Sequence, residues 1–369
     1  MSAADVDVAI LGGGCAGLSL AARLTRTRLS VRVIEPRTHY VNDRTWSFWR
    51  TASDPFEDCI RAEWRAWSVF GPHGVTRRQS QRLRYQTLNA DSFYNRALAM
   101  IDDDPSSAIS LGVAAGKVRR ADQVWHVDTD AGAFTATTLV DTRPRKQIPR
   151  YGQFFVGREI RTSRPVFDPA VVHLMTFRPS HDGRVNFVYI LPFARDQALV
   201  EVTTFAATAP DRNALIRWLD DEIALLEPGD VETLRHEGGA LPMQVGFGHE
   251  RPDGIVRMGL GGGAARPSTG YAFARIQAQA DRVAAALVSG EVPDTQLDGG
   301  MTRFMDRVFL QVLATAPDSA PALFECLFRS SREDHLERFL SGSTRTVDRL
   351  SVMASLPTLP FLRAAATQL

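Results

Sequence analysis

Cysteine is scarce in this chain: Cys15, Cys59 and Cys326 are the only three among 369 residues. Their spacing matches neither a Cys-x-x-Cys pair nor a zinc set, which argues against a disulfide scaffold and against a thiolate metal centre. No run of 18 apolar residues exists, so no segment reads as a membrane span. Charge of one sign is not in excess either. The 43 Lys and Arg residues against 42 Asp and Glu leave a formal net charge of +1, which points away from nucleic acid and from a strongly acidic partner. Residues 1–7 have neither the basic region nor the apolar core of a secretory leader. Internal repeats and low-complexity segments are absent too. What is there is 44% hydrophobic and 23% charged, the composition of a globular protein long enough for two or three domains. The expected location is the cytoplasm, or at most the surface of a bilayer.

Glycine is where the sequence becomes specific. Val8, Ala9, Ile10 and Leu11 run into Gly12-x-Gly14-x-x-Gly17, and a helical pattern (Leu18, Leu20, Ala21, Leu24) follows at once. A second apolar run, residues 31–34, ends in Glu35. In such a strand–turn–helix, Gly12 makes the tight turn, Gly14 lets backbone approach a pyrophosphate, and Gly17 lets helix pack on strand. The free N–H groups and positive dipole end of the helix then face the phosphates. Glu35, about 20 residues on, is placed to accept from a ribose hydroxyl. The position of the motif at the start of the chain favours FAD, although spacing alone leaves NAD open. Cys15, inside the loop, reads as a small apolar filler.

Further along, residues 64–75 and 81–88 read as strands, 90–100 as a helix, and 109–127 as a meander of short strands. An apolar strand over 134–141 ends in Asp141, a further candidate for the cofactor. From 151 to about 247 the pattern is strand-like and aromatic, with one helix at 212–226. A strand over 255–261 then enters a second glycine cluster, Gly261-Gly262-Gly263, followed by Pro267, Thr269, Gly270 and a helix to about 289. A flat turn of small residues before a helix suits backbone N–H groups approaching a flavin ring. Gly261, Gly263, Pro267, Thr269 and Gly270 are therefore candidate cofactor residues. The last 70 or so residues read as helical, with Phe304, Met305, Val308, Phe309, Val312 and Leu313 on one face.

These readings define an α/β fold: a FAD-binding Rossmann-like (glutathione-reductase-type) domain with an inserted mostly antiparallel β-sheet substrate domain and a helical C-terminal region. The expected divisions are residues 1–150 for the first part of the FAD-binding domain and 151–250 for the insert. Residues 251–300 form the return segment and 301–369 the helical region. An insert roofing a flavin is a natural place for a substrate cavity.

Several segments match a known family. Asn42-Asp43-Arg44-Thr45-Trp46-Ser47-Phe48-Trp49 resembles the His-Thr-Trp-Ser-Phe stretch of lycopene cyclases. Residues 187–193 followed by 198–203 resemble their sheet strands carrying a characteristic glutamate, here Glu201. Glu237-Gly238-Gly239-Ala240-Leu241-Pro242-Met243 is similar to their E-x-G-x-[IL]-P-M stretch, and Arg266-Pro267-Ser268-Thr269-Gly270-Tyr271 to their [HR]-P-[ST]-T-G-Y motif. The helical end matches as well (residues 327–329, 338–341 and 356–362), so the resemblance covers the whole chain in order. One departure stands out. Many members place a second acid directly after the glutamate, whereas Val202 follows Glu201 here, which puts any two-acid account of the chemistry in doubt.

The resemblance implies a redox-neutral isomerase, a lycopene β-cyclase of carotenoid biosynthesis, that folds linear ψ-ends into β-ionone rings by acid initiation. It also implies FAD in its reduced form, with NAD(P)H as reductant. A carotenoid partner taken from a membrane surface implies peripheral attachment to the inner face of the membrane. Protonating an alkene needs a donor that stays protonated in an apolar pocket, which burial provides. Glu201, in an alternation that puts Leu199, Glu201 and Thr203 on one face, is the candidate acid or cation stabiliser. Glu237 is the second. Trp46, Phe48, Phe187 and Tyr189 are candidate substrate contacts through their π faces. Asp43 and Arg44 could face either cavity or solvent. Two other readings stay open: a FAD-dependent hydroxylase or prenyl reductase acting on a polyene, and a non-catalytic carotenoid-binding flavoprotein. An Asp141-Thr142 pair, where flavin hydroxylases typically have Asp-Gly, argues mildly against the first.

Overall fold

The computed structural model describes residues 4–50, 54–145, 151–179, 183–248, 254–332, 334–343 and 345–367. Strand Val6–Leu11 lies at the centre of a mixed sheet, parallel to Val31–Glu35 on one side and to Gly132–Asp141 on the other. Val8, Ala9, Ile10 and Leu11 are all buried, as expected of a parallel strand covered on both faces. Gly12 then turns the chain with a φ of +98°, a region that L side chains rarely adopt. Helix Cys15–Leu24 starts three residues later and packs against helices Ala90–Asp102 and Phe273–Ser289 in one apolar core.

Two expectations for this region are corrected. The meander read over 109–127 is split between two edges. Ser107–Leu111 runs parallel to Val31–Glu35, while Ala115–Ala121 and Val124–Thr129 extend the opposite edge antiparallel to Gly132–Asp141. A short apolar run carries no label for which edge it joins. Of the strand read over 255–261, only Val256–Arg257 pairs, parallel to Gly132–Asp141. Gly259 (φ +68°) then bends the chain into a short 3-10 turn, Leu260–Gly262.

The second sheet has seven strands in the order Val231–Pro242, Gly152–Thr162, Gln197–Ala206, Val185–Pro192, Val171–Arg178, Ala66–Gly71 and Gly74–Gln79. All neighbours are antiparallel except Val171–Arg178 beside Ala66–Gly71. The sheet is thus assembled from two stretches of chain. The expected single strand over 64–75 is a hairpin, with Trp64 closing a strand of the small third sheet (Thr45–Trp49, Tyr85–Asn89, Ile60–Trp64). One face of the large sheet, with Val156, Val188, Val200 and Val202, is covered by helix Arg212–Ala224. Asp211 caps that helix by accepting from the backbone N–H groups of Asn213 and Ala214. The other face, with Phe187, Leu199 and Phe205, packs under helices Ala320–Ser330 and His335–Leu340. Helices Gly300–Thr315, Thr346–Ala354 and Thr358–Ala366 complete the C-terminal region. Fully buried Arg266 fastens these helices to the loop before Phe273–Ser289, since it donates to Asp306 and to the Phe339 carbonyl.

Candidate active site

A cavity of about 950 Å³ is walled by the glycine loop, the large sheet and the C-terminal helices together. Gly12, Gly14 and Glu35 line it, as do Trp46, Phe187, Tyr189, Glu201, Glu237, Thr269 and Gly270. The structure therefore brings most of the candidate cofactor, substrate and acid residues to one space.

At the glycine loop, no side chain caps the helix that starts after Gly14. A Cβ placed on Gly14 would meet no atom within 4 Å, so backbone there lies open to a ligand. Glu35 accepts from the Gly13 N–H at 2.6 Å and from Arg37 Nε at 2.8 Å. Burial pushes its carboxyl up, but Arg37 and the Gly13 N–H outweigh burial and hold it below its ordinary value. An uncapped helix start, an open glycine and a fixed carboxylate are the donor and acceptor set that a dinucleotide requires. Cys15, also on the wall, has its thiol pushed up to about 12 by burial, in keeping with an apolar filler.

Six candidates do not line the cavity. Gly17 packs helix on turn, because a Cβ there would strike the Gly12 carbonyl. Asp141 is turned away: its carboxylate accepts from Arg143 Nε and Nη2, both at 2.9 Å, and from Arg257. Two guanidiniums beside the strand end claim it before any ligand can. Gly261 is pressed against the Arg143 carbonyl, and Gly263 takes a left-handed φ of +73°. Pro267 sits beside Gly263 at a small separate crevice. These three shape the return loop rather than touch the cavity. Phe48 stacks on Phe273 at 4.8 Å inside the core; Trp46, on the same strand face, also meets Phe273 but reaches the cavity wall.

The acids lie on the large sheet. Strand register places Gly157 opposite Glu201 on one side and Glu237 on the other, with Tyr189 next to Glu201. Glu237, Gly157, Glu201 and Tyr189 thus form one row across four strands, and their side chains share a face. Both glutamates are buried, at 8% exposure each. Glu237 Oε2 accepts from Arg235 Nη1 at 2.6 Å and from Thr45 Oγ1 at 2.9 Å, and Arg235 also donates to Thr45. Glu201 accepts from Thr203 Oγ1 at 2.9 Å and lies within hydrogen-bonding reach of Glu237. Burial raises the Glu201 carboxyl well above the ordinary range, and Glu237 pushes it the same way. Thr203 and Arg235 pull back only partly. The outcome is an acid that keeps its proton against an apolar wall.

Tyr189 Oη lies 2.6 Å from Tyr85 Oη, and Tyr85 also bonds Tyr271. Burial raises all three phenols well above their usual value, so the cluster offers neutral hydroxyls beside Glu201. Tyr85, Tyr271, Arg235, Thr45 and Gly157 were not among the sequence candidates. Two of them left a signal. Arg235 shares a strand face with Glu237 by alternation, and a glycine inside a strand marks close approach of neighbours.

The fold and site define a dinucleotide-binding α/β protein whose second sheet sets a buried acid on an apolar cavity. Residues 7–366 match the lycopene cyclase protein family, and the chain belongs to that family. It is 24% identical over 391 residues to a lycopene beta-cyclase of Paracoccus sp., with 96% of this chain and 95% of that one covered. To the chloroplastic lycopene beta cyclase of Nicotiana tabacum it is 27% identical over 321 residues. That alignment takes in 77% of this chain and 60% of the plant protein, so the chain spans less than two thirds of that relative. A geranylgeranyl bacteriochlorophyll reductase-like protein of Thermoplasma acidophilum has a similar fold, with a TM-score of 0.65 at 14% identity over 98% of this chain and 96% of that one.

Proposed function

We propose that this protein is a redox-neutral lycopene β-cyclase that converts the linear ψ-ends of lycopene to β-ionone rings by acid initiation. The observation that carries the reading is Glu201, a carboxyl buried on the wall of a largely apolar cavity, where burial and Glu237 raise it well above the ordinary range. Glu201 protonates the terminal alkene, the neighbouring double bond captures the cation, and a second proton is then lost. Trp46, Phe187 and Tyr189 present aromatic faces to the same space, where a cation is attracted to them. FAD is the cofactor in this reading, held by the backbone around Gly12 and Gly14, by Glu35, and by the 269–270 turn, with NAD(P)H as the source of its reduced form. Bound in its reduced, anionic state, it supplies negative charge near a developing cation, which counts most where effective dielectric is low.

A carotenoid is insoluble in water, so the reading places the protein on the cytoplasmic face of a membrane. No helix among the described residues is long and apolar enough to cross one. Leu323, Phe324, Leu327, Phe328, Phe339 and Leu340 are all buried core and present nothing to a membrane. The supporting surface is on the last two helices: Leu350, Met353, Leu359 and Leu362 are each more than half exposed. Arg345 and Arg363 flank them, and Met353 and Leu362 also line the cavity. Apolar residues flanked by basic ones at a cavity mouth suit an anionic bilayer surface.

Expression in cells that accumulate lycopene tests the function. A pigment of unchanged mass with cyclised ends is expected. Added oxygen or hydrogen would replace this reading by the hydroxylase or reductase alternative, and unchanged lycopene by the carotenoid-binding one.

A further inference from the structure

We propose that the two glutamates divide the proton work, Glu201 giving the proton that starts ring closure and Glu237 taking the proton that ends it. This rests on the cyclase reading above and adds the identity of the base. Both side chains face the cavity from strands that flank Gly157. The missing Cβ of Gly157 is what lets them meet: a methyl there would sit 3.2 Å from Glu237 Cγ and 3.3 Å from Glu201 Cβ. Two carboxyls this close share one proton rather than both ionising, and their surroundings decide which one holds it. The surroundings are unequal. Arg235 and Thr45 anchor Glu237 as an ion pair, whereas Glu201 has a hydroxyl, Leu199 and Tyr189 beside it.

The step balances without an oxidant or reductant. The Glu201 O–H bond breaks as a C–H bond forms on the terminal alkene carbon, leaving a cation. The neighbouring double bond attacks to close the ring C–C bond. A C–H bond next to the new cation breaks, its electron pair becomes the ring double bond, and its proton passes to Glu237. Between turnovers Glu237 loses that proton to solvent and Glu201 takes one up from solvent, which resets the pair.

The test uses the flavin-loaded holoenzyme with lycopene in D2O. Under the cyclase reading the wild-type protein adds one deuterium to each ring it forms, and a failure to cyclise or to take up label overturns that reading itself. Glu237→Gln keeps shape but cannot accept the proton. Its rate should fall at least about 10²-fold. The rings it still forms should carry a displaced double bond, exocyclic or shifted along the ring, because the proton must leave to another acceptor. Deuterium uptake per ring should persist. With wild-type cyclisation intact, a folded Glu237→Gln that matches its rate and ring type overturns the division of roles. So does a slow variant that still makes only the wild-type ring isomer, since that marks a merely structural contribution. If Glu237→Gln fails to fold because Arg235 loses its partner, Glu237→Asp keeps the charge one methylene back and is judged by the same two readings.

Discussion

The hydroxyls of Tyr85 and Tyr189 lie 2.6 Å apart, joining a strand of the small sheet to the strand beside Glu201. Tyr85 is buried and Tyr189 partly so; Tyr85 also bonds Tyr271 and Tyr189 also bonds Ser47, so the pair belongs to a wider cluster of hydroxyls. Removing one hydroxyl takes one partner from the other. Tyr85→Phe should therefore cost about 0.5–1.5 kcal/mol of stability. The double variant Tyr85→Phe/Tyr189→Phe should cost less than the sum of the single changes, because the shared contact is lost only once. Chemical denaturation of the four proteins measures this. Strict additivity would mean that the contact contributes nothing.

Gly14 and Gly17 are three residues apart and should fail in different ways. A side chain at Gly14 meets no atom within 4 Å, so Gly14→Val should fold but fill the space where a pyrophosphate approaches. The expected product is soluble protein with melting behaviour near wild-type apoprotein and little or no flavin absorbance. Gly17→Ala drives a methyl into the Gly12 carbonyl, so it should lower the melting temperature whether or not flavin is present. Full flavin loading of Gly14→Val would remove the loop from the cofactor site.

The contrast between those glycines shows what the sequence could reveal. Gly12, Gly14, Gly17 and Glu35 lie within one strand–helix–strand unit, where local spacing dictates geometry, so their arrangement was legible. The alternation of residues 198–203 likewise separated Glu201 from Val202, and the structure puts Leu199 and Val202 in different cores. Contacts made by distant segments were not legible. Nothing near Tyr85 or Tyr271 tells that they meet, because 186 residues of path-dependent folding separate them. Asp141 misled for a related reason: it ends an apolar strand as a cofactor residue could, but Arg257, brought in by the return strand, bonds its carboxylate.

Docking on a membrane should depend on the exposed apolar residues of the last two helices and not on the buried ones. Changing Leu350, Met353, Leu359 and Leu362 to Ser together removes apolar surface already in water, so folding should be little affected. Flotation with anionic liposomes should fall severalfold, since each lost side chain forfeits part of the buried apolar area that drives binding. Rising salt should weaken wild-type flotation by screening the flanking arginines. Flotation of the quadruple variant equal to wild type would rule out this surface.

Replacing Glu201 should separate activity from stability. Glu201→Gln keeps shape while removing the acid, so cyclisation should fall by about 10²–10⁴-fold or more. Glu201→Asp keeps the acid but withdraws it by one methylene, and misplacement near 1 Å can cost roughly 10²-fold. Stability should move the other way. Burial and Glu237 raise the folded-state carboxyl above its unfolded value of 4.5, so its contribution is complete below that pH. It is lost as pH rises toward the folded value, because the unfolded chain releases a proton that the folded chain retains. The melting temperature of Glu201→Gln should match wild type near pH 4 and exceed it increasingly toward pH 8. A constant difference across that range would contradict a raised carboxyl.

Val202 directly follows Glu201, and placing an acid there should not help this protein. Val202 is fully buried, paired in register with Val156 and Val188, and covered by the helix that presents Leu219 and Ile223. That side of the sheet faces away from Glu201 and the cavity. A carboxylate there gains no partner among these apolar side chains, and burying an unpaired polar group costs roughly 2–7 kcal/mol. Val202→Asp should therefore lose stability while leaving Glu201 and Glu237 to do the chemistry in whatever fraction stays folded. Val202→Thr, which keeps the β-branched shape, should lose less. The measurement is turnover per folded, flavin-loaded molecule alongside thermal melting. An increase in turnover for Val202→Asp would mean that position 202 reaches the cavity, which the strand register does not allow.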